Sequence, residues 1–420
     1  MPRSPFAIRD FRLFWISRLA ATLGQIAVVV VIGWQVYDIA RTQGMSEKAA
    51  ALQLGFVGLA QFLPLFAMTL PAGWLADRID RRYIAWVATL LQVICTAALG
   101  LFAYSGNTSL PELFAIAALL GVARALQMPA MSAMAPNLVP VEILPRAIAQ
   151  SSFAWQGAAI AGPAMGGYFY AIGPSVPYWV SAGLELVSLI CLLAIQPLPK
   201  REQMAAAHPW RQMVDGLHYV RKNRLVLGAI SLDLFAVLLG GATAMLPVYA
   251  RDILHVGPEG LGHLRAAPAI GATLVALFFS WRPLKHGVGI KLFAAVGVFG
   301  AATIGFGLST SMLLSQLCLL LLGAADMFSV FVRQSLMLLY TPDEMRGRVG
   351  AVSGLFISAS NELGEAESGL LAALVGPVAA VVAGGLGAIG VTLLWMKFFP
   401  ELRRASTFDP PDALAPGGTP

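Results

Sequence analysis

Ten ionisable residues lie inside long apolar stretches of this 420-residue chain: Arg18, Arg124, Glu185, Asp233, Arg265, Asp326, Arg333, Glu362, Glu365 and Glu367. A charge at the centre of a membrane helix costs ~2.5–3.5 kcal/mol, so an uncompensated set would cost roughly 25–35 kcal/mol. These groups must pair, take up protons or line water. Glu362 and Glu365 fall about 60° apart on one helical face, whereas Glu367 points almost opposite Glu365. Two acids on one face raise the affinity of one of them for a proton. Glu365, near the middle of its stretch, is therefore the first candidate for proton coupling and Glu362 the second. Asp326 and Asp233 are further carboxylates, with Arg18 and Arg124 as the cations expected opposite them. The alternative is a permanent pair with an intramembrane arginine, and Arg265 and Arg333 can reach the helix ends by snorkelling.

Other chemistries find no support. Cys95, Cys191 and Cys318 each sit in an apolar stretch, which argues against a disulfide framework or a thiolate metal site. No cofactor or metal is expected. No lysine precedes Ser or Thr, so the chain contains no P-loop and ATP hydrolysis is excluded. An ion gradient must supply the energy, and interior carboxylates favour protons because burial favours the protonated form. The net charge of +6 comes without a basic run interleaved with aromatics, which removes nucleic acid as a partner.

The elements that must hold these groups are helices in lipid. The chain is 58% hydrophobic and 12% charged, against about 25% charged in soluble domains. Apolar segments run at approximately 11–39, 49–75, 83–104, 112–135, 147–171, 176–196, 225–250, 260–281, 290–308, 312–340, 349–373 and 377–398, which predicts twelve transmembrane helices. The first is too long for a signal-peptide core and is read as a retained span. Of 28 Lys and Arg residues, 21 gather on the side that carries both termini, and only Arg41, Lys48 and Arg251 fall on the other. Positive charge stays inside, so both termini and the loop at 197–224 are expected in the cytoplasm. In that loop Trp210, Met213, Leu217 and Val220 recur at helical spacing, predicting an amphipathic helix at the membrane interface. The expected organisation is a six-helix bundle over 1–196, the linker, a second bundle over 225–400 and a disordered tail over 401–420.

The two bundles are repeats. A displacement of 202 sets Leu119–Arg124 (LLGVAR) on Leu321–Asp326 (LLGAAD), Pro140, Glu142 and Arg146 on Pro342, Glu344 and Arg348, and Gly162–Gly167 on Gly364–Gly369. Parallel six-helix repeats with a site at their interface are a transporter architecture. Arg124 and Asp326 are thus equivalent positions of opposite sign, and Arg18 and Asp233 nearly so at a displacement near 214. Both pairs are expected to face each other across the repeat interface. Gln127, Trp155, Phe356 and Asn361 complete the candidate substrate cavity, although aromatics such as Phe153, Trp155, Phe328, Phe331 and Phe356 equally suit lipid or core positions.

Between the second and third spans lies Gly73-Trp-Leu-Ala-Asp77-Arg78-Ile-Asp80-Arg81-Arg82. It resembles the loop signature of the major facilitator superfamily, G-x-L-A-D-R-x-G-R-[RK], with Asp80 where that family usually has glycine. The resemblance implies a cytoplasmic gate. Gly73 would permit close helix approach, Asp77 would face a helix amino terminus, and Arg78, Arg81 and Arg82 would pair with acids in one conformation. Glu142, Arg146, Glu344 and Arg348 join them as gate candidates. Arg124 and Gln127 are similar to the family's R-x-x-Q-G element, with Met128 in place of glycine. Gly162, Pro163, Gly166 and Gly167 match its exporter-associated G-P-x-x-G-G element and suit close packing. The resemblance spans roughly 10–400 and is closest to the efflux branch that includes the enterobactin exporter and macrolide efflux pumps. It implies a monomeric, proton-coupled exporter of small amphipathic organic molecules, a siderophore or a drug, in the cell membrane (the inner membrane of a Gram-negative cell). Uptake by the same fold and a non-transporting receptor or assembly protein are the alternatives.

Overall fold

The computed structural model describes residues 4–106, 108–197, 209–282, 284 and 286–408, except for a few side chains that include Asp77, Arg78, Trp210 and Asp343. All regular structure among the described residues is helical. The first six long helices are α1 (Arg9–Thr42), α2 (Glu47–Arg78), α3 (Arg81–Ser105), α4 (Leu110–Met134), α5 (Leu144–Ile172) and α6 (Val176–Leu193). After α7 (Pro209–Lys222) come α8 (Arg224–Leu239), α9 (Leu246–Val248), α10 (Gly257–Trp281), α11 (Val288–Leu308), α12 (Met312–Leu339), α13 (Asp343–Val375), α14 (Pro377–Phe398) and the short α15 (Pro400–Arg404). A π-helical turn, Tyr249–Ile253, prolongs α9, and α8 and α9 together form one broken span over Arg224–Ile253. Among the described residues this gives twelve long helical segments, a number consistent with the hydropathy.

Ten of the twelve are apolar enough along their length to cross a bilayer. The other two, α5 and α13, are partners under the 202-residue displacement. Their polarity has a visible source. α13 carries Arg346, Arg348, Glu362, Glu365 and Glu367, and α5 carries Gln150, Ser151, Ser152 and Gln156 among small residues. A helix of that composition needs protein or water around part of its surface. Purely apolar faces such as Leu186, Ile190 and Leu193 of α6, or Leu313, Leu314 and Leu317 of α12, are exposed and suit lipid.

The chain forms two compact units, one of Met1–Ala206 with Leu246–Ala266, the other of Ala207–Met245 with Ala267–Pro420. Inside the first, α1 packs on α5 and α6, and α3 on α4 and α6. Inside the second, α8 packs on α13 and α14, and α11 on α12 and α14, which is the same set of pairings carried through the repeat. Close helix approach repeats as well. Gly121 of α4 presses on the Gln61 carbonyl of α2, and its equivalent Gly323 of α12 presses on the Pro268 carbonyl of α10. A Cβ at Gly162 would lie 3.3 Å from the Leu23 carbonyl oxygen, and one at Gly364 3.1 Å from that of Val237.

Two expectations need correction. α7 forms as expected, but part of its apolar face is covered by protein. Val220 is buried in a cluster with Val349 and Val352 to which Met213 also packs, while the Tyr219 hydroxyl donates to the Tyr340 carbonyl at 2.8 Å. Leu217 and Val214 remain exposed. The tail is folded through residue 408. Gly287 and Gly289, at the start of α11, donate their N–H groups to the carbonyls of Ser406 (2.7 Å) and Ala405 (2.8 Å). Those donors lack partners within their own helix, and the following chain supplies them. Leu402 is buried, and Phe408 packs edge-on against Phe331. Residues 409–420 lie outside the described residues.

The glycine contacts give a direct test. Gly121→Val and Gly323→Val are each expected to cost ~1–3 kcal/mol by overpacking, read as a lower thermal unfolding midpoint of the detergent-purified protein. Gly297→Val, where nothing lies within 4 Å of the added Cβ, should leave the midpoint unchanged.

Candidate functional site

Three polar groups stand out. The first lies inside the second unit, where Arg333 of α12 forms an ion pair with Asp233 of α8, both buried. Arg333 also donates from Nε to the Ser329 carbonyl at 3.3 Å. Asp326, seven residues earlier on the same face of α12, is within electrostatic range of both charges. Two carboxyls around one guanidinium leave an excess negative charge that a single proton would neutralise. This arrangement corrects the expected partners. Arg333 does not snorkel to a helix end, and Asp233 takes its arginine from its own unit rather than from Arg18, which lies half-buried on α1. On α13, Glu362 is buried, Glu365 and Glu367 are half-buried and Asn361 is exposed.

The second group is in the first unit. Gln127 of α4 and Gln92 of α3 form a reciprocal amide pair, each donating to the other's carbonyl oxygen at 3.1 and 3.2 Å, with Thr89 alongside. Gln127 is therefore buried between helices, where its amide has its hydrogen bonds met. Arg124, one turn away, donates to Gln61 Oε1 at 3.5 Å. Of the aromatic candidates, Phe153 and Trp155 are exposed on α5. Phe356 packs with the Val349 and Val352 cluster, and Phe328 and Phe331 surround Phe279.

The gate candidates divide. The side chains of Asp77 and Arg78 lie outside the described ones. Among the described residues nothing lies within 4 Å of a Cβ placed on Gly73. Arg82 is buried and makes its ion pair with Asp80 of its own loop at 2.8 Å, while also donating to the Ile195 carbonyl at 3.2 Å. It is a brace between the start of α3 and the end of α6, not a free gate cation. The family's usual glycine is replaced here by a residue with work to do: Asp80 caps α3 by accepting from Arg82 N. The Arg82 guanidinium holds the Asp80 carboxyl below the usual carboxylate range. The brace therefore persists above that range and is lost as pH falls through the lowered value. Arg348 pairs with Asp215 at 3.3 Å and so ties α13 to α7, Arg81 is half-buried, and Glu142, Arg146 and Glu344 are exposed.

The third group was not foreseen from the sequence, and it lies wholly in the first unit. Arg251 pairs with Asp38 at 2.6 Å, and Arg41 pairs with Asp252 at 3.0 Å. Asp252 also accepts from the Tyr37 hydroxyl. Arg251 and Asp252 sit on the π-helical turn, and the chain leaves it through His255 at a φ of +53°. Nearby, Tyr168 and His263 share a hydrogen bond of 2.7 Å. A signal was available: Asp38-Ile39 and Asp252-Ile253 are related by the same displacement of 214 that aligns the first and seventh spans. Each aspartate meets the arginine supplied by the other repeat's segment, the exchange that had been expected of Arg124 and Asp326.

Twelve spans in repeat-related sets, with ionisable groups held inside them, define a multi-pass membrane transport protein. The Major Facilitator Superfamily model matches residues 14–366, and the chain belongs to that family of transporters. The enterobactin exporter EntS of Citrobacter koseri is 28% identical over 94% of this chain and 92% of its own length. EntS of Escherichia coli is 27% identical over 97% and 95%. Among solved structures, a bacterial homolog of the human lysosomal transporter Spinster, inward-facing and unoccupied, has a TM-score of 0.73 at 16% identity, covering 94% of this chain and 98% of that one. A D-xylose-proton symporter has a TM-score of 0.71 at 16% identity, covering 93% and 98%. At such identity the likeness is one of fold.

Asp252→Asn removes the charge that Arg41 and Tyr37 share, a charge-assisted set worth about 1.5–3 kcal/mol. Hydrogen–deuterium exchange of residues 249–256 is expected to rise in this variant while that of α3 stays unchanged. Unchanged exchange at 249–256 would show that the pairs do not hold the turn.

Proposed function

We propose that the chain exports a small amphipathic organic molecule, of the siderophore or drug class, in exchange for protons by alternating access, as a monomer with both termini in the cytoplasm. The observation that carries proton coupling is the buried ion pair of Asp233 and Arg333 with a second carboxyl, Asp326, within electrostatic range of both. A proton arriving there changes the net charge of a membrane-embedded cluster by one, and the energetic difference between the two charge states is large in a low dielectric. Glu365 and Glu362 on α13 extend the set of carriers toward the helix that is too polar to face lipid on all sides. Relatives named as enterobactin exporters over nearly the whole chain support export and a siderophore as cargo. The Gly162–Gly167 element on α5 agrees with that direction. In this reading the Asp38–Arg251 and Arg41–Asp252 pairs latch the outer end of α1 to the π-helical turn, and the latch is released once per cycle.

Purified protein in liposomes containing a trapped pH indicator tests the proposal. An imposed enterobactin gradient should produce a pH change that Glu365→Gln abolishes while enterobactin still quenches tryptophan fluorescence. Enterobactin movement without any pH change would overturn proton coupling. Absence of movement for both enterobactin and ethidium would overturn the cargo class.

A further inference from the structure

Glu185, in the middle of α6, takes no part in the groups described above. It is 1% exposed, and its Oε2 has no hydrogen-bond partner. The buried face of α6 is Tyr178, Ser181, Ala182, Glu185, Ser188 and Leu192, more polar than the face α6 turns outward. Several neighbours on α1 and α3 are small or hydroxylated. A Cβ at Gly24 of α1 would lie 3.3 Å from the Glu185 side chain and 3.1 Å from the Ser181 carbonyl, so glycine there makes room for the carboxyl. Ser17 of α1 and Ser188 share a hydrogen bond of 2.7 Å. On α3 the Thr96 hydroxyl lies within hydrogen-bonding reach of the carboxyl, whereas Ser181 Oγ is buried with no hydrogen-bond partner.

Two buried oxygens without partners, Glu185 Oε2 and Ser181 Oγ, are costly in one helix junction, at about 1–3 kcal/mol each, and an ionised carboxylate there would cost more. The cost falls if the carboxyl carries a proton, because Oε2 then becomes a donor next to hydroxyl acceptors. The surrounding charges do not offer another solution. α3 brings the Cys95 thiol as its titratable neighbour. The cation that α1 carries within its span is Arg18, six residues before Gly24, and α5 has no ionisable side chain between Arg146 and Tyr168. No ion pair reaches Glu185 among the described residues.

We propose that Glu185 is a proton-binding site of the first unit, holding its proton on Oε2 while the α1–α3–α6 junction is dry and passing it to water when the transport cycle wets that junction. This rests on the reading of the chain as a proton-coupled transporter and adds a carrier on the unit opposite to Asp233, Asp326 and Glu365. The full chain in vesicles of phosphatidylethanolamine and phosphatidylglycerol, in sodium-free buffer, is titrated by infrared difference spectroscopy from about pH 5 to about pH 9, a range that buried carboxyls reach. A protonated-carboxyl band should disappear with rising pH, be missing from Glu185→Gln and persist in Glu365→Gln. An unchanged set of bands in Glu185→Gln, or a Glu185 band that does not titrate, would overturn the proposal. Loss of that band on adding sodium at constant pH would also overturn it, replacing the proton by a metal cation. If Glu185→Gln does not fold, Thr96→Val decides: the band must shift in frequency, and an unshifted band counts against the site. Enterobactin-driven proton movement is measured in the same vesicles. If it is absent while the Glu185 band titrates, the transport reading fails and the site stands; if it is present with no Glu185 band, the site alone fails.

Discussion

The ion pair of Asp233 and Arg333 sets the terms for the second unit. A carboxylate on α8 and a guanidinium on α12, both removed from solvent, are each prohibitive alone and acceptable together. Their contact fixes the rotation of α8 and α12 about their axes and thereby places Asp326 on the same inward face. Once those faces are committed, the apolar residues of α12 such as Leu313 and Leu317 are left to meet lipid. The excess carboxyl gives the unit a charge that a proton can cancel. Stability and the proposed coupling thus draw on the same three side chains.

The first unit solves the same problem with less charge. Apart from Glu185, amides and hydroxyls take the interior positions named above, as in the Gln92–Gln127 pair and the Ser17–Ser188 contact, and its ion pairs are placed at helix ends: Asp80 with Arg82, Asp38 with Arg251, Arg41 with Asp252. A neutral amide or hydroxyl costs less to hold dry than a charge. The two repeats have kept their backbone geometry, as Gly121 and Gly323 or Gly162 and Gly364 show, while dividing the chemistry between them.

The architecture was legible in the sequence because hydropathy, the placement of basic residues and the 202-residue displacement all act over many positions. The partners of individual charges were not. Repeat displacement identifies equivalent residues, but equivalence does not by itself give contact. Arg124 and Asp326 are equivalent, and Asp326 has Asp233 and Arg333 of its own unit within electrostatic range. Asp38 and Asp252 are also equivalent, and there the exchange of partners occurs. Arg333 was read as a snorkelling residue because its distance from a helix end is visible in sequence, whereas the phase that turns it toward Asp233 is not. The role of α7 was missed for a related reason: an amphipathic face states that it needs cover, and both lipid and Val349 can provide it.

The account stands on the claim that Asp233 and Arg333 satisfy each other. A double-mutant cycle of Asp233→Asn, Arg333→Gln and the combined variant, followed by chemical unfolding of the purified protein in detergent, tests this most directly. Each single change is predicted to destabilise by ~3–5 kcal/mol, since it leaves one buried charge without its partner, and the double variant by clearly less than the sum. Single effects that add without any coupling would contradict the pairing, and with it the account of how the second unit holds its charges.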